Sequence, residues 1–397
     1  MHILLSCLQS EIVHPVPPYR YWEQYFAGGI TDGGHTWEAV PGVDWAEGLL
    51  YEHDPRAAAA WRDRVWSATL AHVKQVPAAR RPDLFLSYLY PWMVDEVAVA
   101  ELRRIGVPCV NYFCDNVREF VRAPSQYRAF DLNWVPELAA TRFYARDGVP
   151  YIHAAMPAWI PESQRRWDHA ERYGVLFIGS RDALREVLLA GAIGLGAPIE
   201  LYGPGWPAPG AKPAARAAAA RARRTPGTLL YNQYRFIRRH GVAGYARKFL
   251  GKLRRPVDDA VLAPHSHPAL DAAGYVERTQ GSRVVIGVNR YPSFRHSFRR
   301  PDTYSRSRDV EAPMMGACYL TEWTPELPEM YEIGREVETY RDEAELAAKI
   351  RELDGDPGRR RQMRREGQRR ALADHSVPRT IERIAERLGI GRLAARR

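Results

Sequence analysis

Only four cysteines occur in 397 residues, and Cys7, Cys109, Cys114 and Cys318 share no metal-ligand spacing. That excludes a disulfide framework or a zinc ribbon and leaves buried thiols as the expectation. Long apolar runs are missing too. MHILLSCLQSE is too short for a signal peptide, and no later stretch is long enough to cross a bilayer. A cytoplasmic protein is expected, with attachment to the inner face of the membrane as its one membrane option. Asp-x-Asp occurs once, at Asp354-Gly355-Asp356, between two expected helices and just before Pro357. A turn and a helix cap explain it, and no metal site is expected. His265-Ser266-His267 is read as an exposed loop between prolines. Acid is absent from one long segment: residues 212–255 hold thirteen Lys or Arg and no Asp or Glu. The rest carries 44 basic against 47 acidic residues, so the net charge of +10 belongs to that segment. An anionic partner follows: a membrane surface, nucleic acid or a polyanionic glycan.

The rest reads as α/β. A chain of this length suits two ordinary domains, and 46% apolar residues give each a core. Short apolar runs predict strands at Ile3–Cys7, Thr36–Val40, Asp83–Leu89, Pro108–Phe113, Asp131–Val135 and Tyr151–Ala154. Helices are expected at Tyr21–Ile30 and Trp92–Ile105. Residues at the carboxyl ends of these strands, Ser6–Gln9, Tyr90 and Asp115, are edge candidates. Pro157, Pro161 and Arg165–Tyr173 read as a linker. VLFIGSRDALREVL then opens a second strand-to-helix series, followed by a strand at Pro198–Tyr202. The segment from 207 to about 273 breaks the pattern. It begins low in complexity and continues as LLYNQYRFIRRHGVAGYARKFLGKLRR, apolar at helical spacing with Arg and Lys between. It is either a membrane-surface element or a helical hairpin packed on the domain.

The series resumes at Val284–Val288, with later strands at Ala317–Thr321 and Glu336–Tyr340. Helices are expected at Arg308–Met315, ended by Gly316, and at Asp342–Leu353, Pro357–Ala373 and Pro378–Leu388. Alternating strands and helices make a parallel sheet, whose ligands sit beyond the carboxyl ends of the strands. The loop from Asn289 to Arg308 leaves that edge carrying Arg290, Arg295, Arg299, Arg300, Arg306 and Arg308, with Tyr304 among them. Guanidinium forks beside a helix start suit a diphosphate. Glu311, one turn into that helix, suits ribose hydroxyls.

In order and spacing, VNYFCDN, FDLNWV, VLFIGS, IELYGPGW, VVIGVN, SRDVEAPMMGACYLTE and EVETYRDEAELAAKI resemble bacterial glycosyltransferases of the GT-B fold, in particular the spore-maturation CgeB-like group. The resemblance implies two Rossmann-like domains facing across a cleft, with a basic helical insertion in the second. Expected bounds are 1–165 for the acceptor domain, 170–375 for the donor domain with its insertion at about 207–273, and 376–397 for a closing helix that returns to the first domain. The donor would be a nucleotide sugar, a UDP-sugar by first choice, with no further cofactor. Glu311 then looks like the ribose carboxylate and Arg308 like a phosphate neutraliser. Gly179, Ser180 and Arg181 look like a loop that lets a diphosphate approach, with Tyr202 and Gly203 near the base. Asn289, Tyr304 and Arg306 complete the donor set. Related retaining enzymes often carry a Glu eight positions before the ribose carboxylate, where this chain has Thr303; the stereochemistry stays open.

Leaving-group charge is met by a metal or by Arg and helix N-termini, and the arginines near Glu311 favour the metal-free route. An inverting reaction also needs a base for the acceptor hydroxyl. Asp115 is the first choice, against a capping role; His35 and Glu322 come after it. A reading of another class, a nucleotide-binding protein of this fold that has lost transfer, is separated from the first by nucleotide-sugar turnover.

Overall fold

Apolar runs bounded by turn residues become buried parallel strands. The computed structural model describes residues 1–8, 10, 19–52, 54–207, 226–252, 257–291 and 301–390. It contains two compact units, Met1–Ile160 with Ala373–Arg397, and Pro161–Leu372. In the first, β1 (His2–Ser6), β2 (Thr36–Glu38), β3 (Leu84–Tyr88), β4 (Cys109–Tyr112), β5 (Leu132–Val135) and β6 (Tyr151–His153) form one sheet. Its order is β2-β1-β3-β4-β5-β6 and every pairing is parallel. Strands β3, β4 and β5 are buried at every position, as central strands covered on both faces must be.

The second unit has β7 (Tyr173–Ile178), β8 (Ile199–Tyr202), β9 (Ser266–His267), β10 (Ser282–Gly287), β11 (Arg290–Tyr291), β12 (Asp302–Thr303), β13 (Tyr319–Glu322) and β14 (Glu338–Tyr340). Six of them make a parallel sheet in the order β14-β13-β10-β7-β8-β9, while β11 and β12 pair antiparallel on their own. Its core joins Val175, Phe177, Val284, Ile286 and Leu320 to Leu188, Leu189, Leu346 and Ile350 of the covering helices. The stretch expected as a linker packs onto this unit instead: Glu171 accepts from Arg360 Nε (2.9 Å) and Nη2 (2.6 Å). The basic helix Pro357–Asp374 therefore turns part of its charge inward. One more reading is corrected here, and one holds. Ser266–His267 is an edge strand rather than an exposed loop, because His265 Nδ1 lies 3.0 Å from Ile199 O and His267 stacks on Tyr202 at 4.6 Å. Asp354 pairs with Arg283 (3.1 Å), and Asp356 accepts from Arg359 N (2.9 Å), which is the turn-and-cap role. Of the basic segment, residues 226–252 are helical, broken at Gly241; residues 212–225 and 253–255 lie outside the described residues, as do Gln9, Arg295, Arg299 and Arg300. Among the described residues no helix is long and apolar enough to cross a membrane.

In the first unit, helix Pro55–Gln75 was not among the expected elements. It starts with Asp54 accepting from Arg56 N and Ala57 N and with Pro55 at its first position. The expected helix at 92–105 begins only at Glu96, where Asp95 caps it. Helix Val377–Leu388 closes this unit against helix Tyr19–Asp32, so closely that a Cβ on Gly29 would lie 2.4 Å from Val377 Cβ. At the ends of β4 and β5 sits a buried polar knot. Asn116 donates its N–H to Glu137 Oε1 (2.6 Å) and its Nδ2 to Glu137 Oε2 (2.8 Å), while the Tyr144 hydroxyl donates to Asn116 Oδ1 (2.9 Å). Burial pushes the Glu137 carboxyl from its ordinary 4.5 up to about 8. The native state thus holds a proton that the unfolded chain has released, so stability falls as pH rises from about 4.5 to about 8 and levels off above. Glu137→Gln is expected to remove that slope, read from urea melts at the two ends of the window; an unchanged slope would place the titration elsewhere.

Candidate active site

The second sheet changes direction between β7 and β10: β8 and β9 extend it one way, β13 and β14 the other. Loops leaving a sheet at such a point part from each other and open a crevice at the carboxyl edge. After β7, Gly179 donates its N–H to Tyr202 O (2.8 Å) and accepts from Trp206 Nε1 (2.7 Å). Gly203, at φ 131°, presses against it, and a Cβ there would lie 2.4 Å from Gly179 O. Only glycine fits such a conformation and approach. These two glycines lock the β7 and β8 loops together, so the Gly179 amide is already committed within the protein.

Across the crevice, one carboxylate organises the loop after β10. Asp309 is fully buried and accepts from Asn289 Nδ2 (2.9 Å), Arg306 N (3.0 Å), the Tyr319 hydroxyl (2.9 Å) and Thr321 Oγ1 (2.7 Å). Burial raises its pKa against these donors. This knot fixes the start of helix Arg308–Met314 and with it Glu311. Glu311 Oε2 accepts from the Tyr275 hydroxyl (2.5 Å), whose proton is retained because burial pushes its pKa up.

Three guanidinium groups gather here. Arg308 lies 4.9 Å over the Tyr275 ring, and Arg306 lies 4.8 Å over Tyr304. Arg185, in the first turn of helix Ala183–Gly194, donates Nη1 to Ser180 O (3.0 Å) and Oγ (3.2 Å). Its pKa is held below the usual range by burial first, and also by the charges of Arg306 and Arg308, against the pull of Asp182. Asp182 Oδ2 comes within 3.3 Å of Arg185 Nε, yet that buried N–H makes no hydrogen bond, and neither does Arg306 Nε. Like charges crowded with buried donors to spare are costly alone and are relieved by an anion with several acceptor oxygens. A diphosphate is such an anion.

Several expected donor residues are committed elsewhere. Arg181 donates to Glu186 (2.8 Å), Asp259 (2.6 Å) and Val257 O (3.1 Å), tying its loop down. Asn289 Nδ2 bonds Asp309, Thr321 Oγ1 and Glu322 O, which makes it a brace between strand and helix. Tyr304 is buried against Tyr291. Tyr202 packs on the sheet face, donating to Glu200 (2.9 Å), with burial pushing its pKa up to about 12. Ser180, Arg306, Arg308 and Glu311 stand at the carboxyl edge, joined by Arg185 and Tyr275, which sequence reasoning missed. Arg185 carries no mark that sets it apart from Arg181, and nothing local points Tyr275 at Glu311.

The base candidates separate in the same way. Glu322 is buried and accepts from the N–H groups of Asn289 (3.0 Å) and Arg290 (2.9 Å) while pairing with the Arg290 guanidinium (2.6 Å), so it is a structural carboxylate. His35 precedes β2 and so lies at the amino edge of its sheet, beside the Met1 amine (3.3 Å). Asp115 follows β4 at the carboxyl edge. It sits at the N-cap position of helix Asn116–Glu119, but its side chain makes no capping bond; the Asn116 N–H goes to Glu137. Its carboxylate is about a third exposed and pairs with Arg118 (3.2 Å). Asp115 (φ 64°) and Leu8 (φ 60°) are the non-glycine residues with positive φ among those described, and both follow strands at this edge. Such backbone strain clusters where a site needs it.

Residues 235–386 match a family model described as glycosyl transferase-like. No curated protein matches the chain. In structure it is similar to sucrose-phosphate synthase from Thermosynechococcus elongatus, at 13% identity over 98% of each chain with a TM-score of 0.55. It is similar to Anabaena HepE in complex with UDP-glucose, at 13% identity over 98% of this chain and 99% of that one, with a TM-score of 0.54. A third likeness is AviGT4, a glycosyltransferase involved in avilamycin A biosynthesis, at 14% identity over 97% and 96% of the chains with a TM-score of 0.52. At these identities the likeness is one of fold. The chain has the GT-B fold of two Rossmann-like units, and its residues 235–386 are similar to the glycosyl transferase-like family.

Proposed function

We propose that the protein transfers a glycosyl group from a nucleoside-diphosphate sugar, a UDP-sugar by first choice, to a hydroxyl of a glycan or lipid-linked acceptor. One observation carries this: Arg185, Arg306 and Arg308 converge beside Glu311 at the switch point of the second sheet. In the reaction the bond from the sugar's anomeric carbon to the diphosphate oxygen breaks, and the acceptor oxygen bonds to that carbon. The diphosphate leaves with the electron pair, its charge held by the guanidinium groups, which take the part a metal plays elsewhere. Glu311, steadied by Tyr275, accepts from the ribose hydroxyls. Asp115 takes the acceptor's proton. HepE bound to UDP and to UDP-glucose supports uridine as the first base to try. The order of VNYFCDN, VLFIGS and SRDVEAPMMGACYLTE supports a place near the CgeB-like group.

A nucleoside diphosphate is expected to raise the melting temperature, UDP most among those screened. Arg185→Ala removes a charge-assisted contact and is expected to weaken UDP binding roughly ten- to hundredfold, and Glu311→Ala at least about tenfold. Unchanged affinity in both variants, by calorimetry, would remove the site. Asp115→Asn is expected to leave UDP affinity as it was and lower nucleotide-sugar turnover by about 10²–10⁴. Binding without any turnover in the unaltered protein would leave a nucleotide-binding protein of the same fold.

A further inference from the structure

Helix Pro226–Lys252 is not continuous: at Gly241 (φ 71°, ψ 171°) the backbone leaves helical geometry. The two arms fold against each other there. The Phe236 and Tyr245 rings are 6.3 Å apart and edge-on, and Lys248 Nζ sits 3.9 Å over the Phe236 ring. With that side of the hairpin filled, its other side is apolar and open: Tyr234 is 59% exposed, Val242 73%, Phe249 57% and Leu250 64%. At about 100° per residue, Val242, Ala246, Phe249 and Leu250 fall within roughly 100° of arc on the second arm. Arg247, also exposed, flanks that stripe. Four large exposed hydrophobic residues in one short element, in a stretch without a single acidic residue from 212 to 255, need a partner that is both apolar and anionic.

We infer that this hairpin lies on an anionic lipid surface, with Val242, Phe249 and Leu250 immersed at the headgroup boundary and Arg247 among the lipid charges. An interfacial helix has this build, a short apolar face with Arg and Lys at its margins. A second copy of the chain would bring the same cations against these. Nucleic acid phosphates would answer the charge but leave the exposed aliphatic groups in water. The inference stands apart from the nucleotide site.

Co-sedimentation with vesicles of phosphatidylcholine, with and without phosphatidylglycerol, tests it. Binding is expected only where phosphatidylglycerol is present, and it is expected to weaken with salt. Phe249→Ser with Leu250→Ser is expected to lower partitioning roughly ten- to hundredfold, and Arg247→Glu roughly tenfold. Circular dichroism and the melting temperature of each variant without nucleotide show that the fold is intact and keep the result separate from the nucleotide reading. Three results would overturn the inference: equal binding to neutral vesicles, binding that ignores the double substitution, or a dimer in the unaltered protein that the double substitution dissolves.

Discussion

A single carboxylate inside the second unit holds its working edge in shape. Asp309 has no contact with solvent, yet it gathers donors from the end of β10, from β13 and from the loop before its own helix. Burying a carboxylate is unfavourable unless its lone pairs are met, and here four groups meet them. Because those donors come from separate elements, the knot sets the angle at which helix Arg308–Met314 leaves the sheet. Arg306, Arg308 and Glu311 inherit their places from it.

The arginines show how one residue type is divided between structure and chemistry. Arg360, Arg290 and Arg181 each face a carboxylate: Glu171, Glu322, and Glu186 with Asp259. These pairs tie loops to the framework. Arg185 is different, since its nearest charged neighbours beyond Asp182 are other guanidinium groups. A protein tolerates such crowding where a bound anion relieves it.

Much of the fold was legible in the sequence. Continuous apolar runs such as LFLSY and VVIG give strands within a residue or two of their places, because a strand covered on both faces has no polar alternation to confuse it. Ser266–His267 escaped notice because it is two residues long and polar, and its role comes from Tyr202 and Ile199 far away in sequence. The site was legible in outline only. Glu311 and the Arg306–Arg308 pair stand where a helix start after a strand puts them. Arg181 and Arg185 are four residues apart and alike on paper; the Asp182 cap and the pull of Glu186 decide which of them faces the edge. Glu322 and Asn289 read as site residues because they follow strands, but their partners lie across the sheet and turn them inward.

The first unit is assembled from both ends of the chain. Helix Val377–Leu388 seals the side of helix Tyr19–Asp32 that Gly29 leaves open, and more than two hundred residues lie between the two pieces. A ribosome releases the opening 160 residues long before the helix that covers them. The nascent unit must therefore wait, with that side bare, until helix Val377–Leu388 has been made, and a fragment stopped at Ile160 would lack that lid.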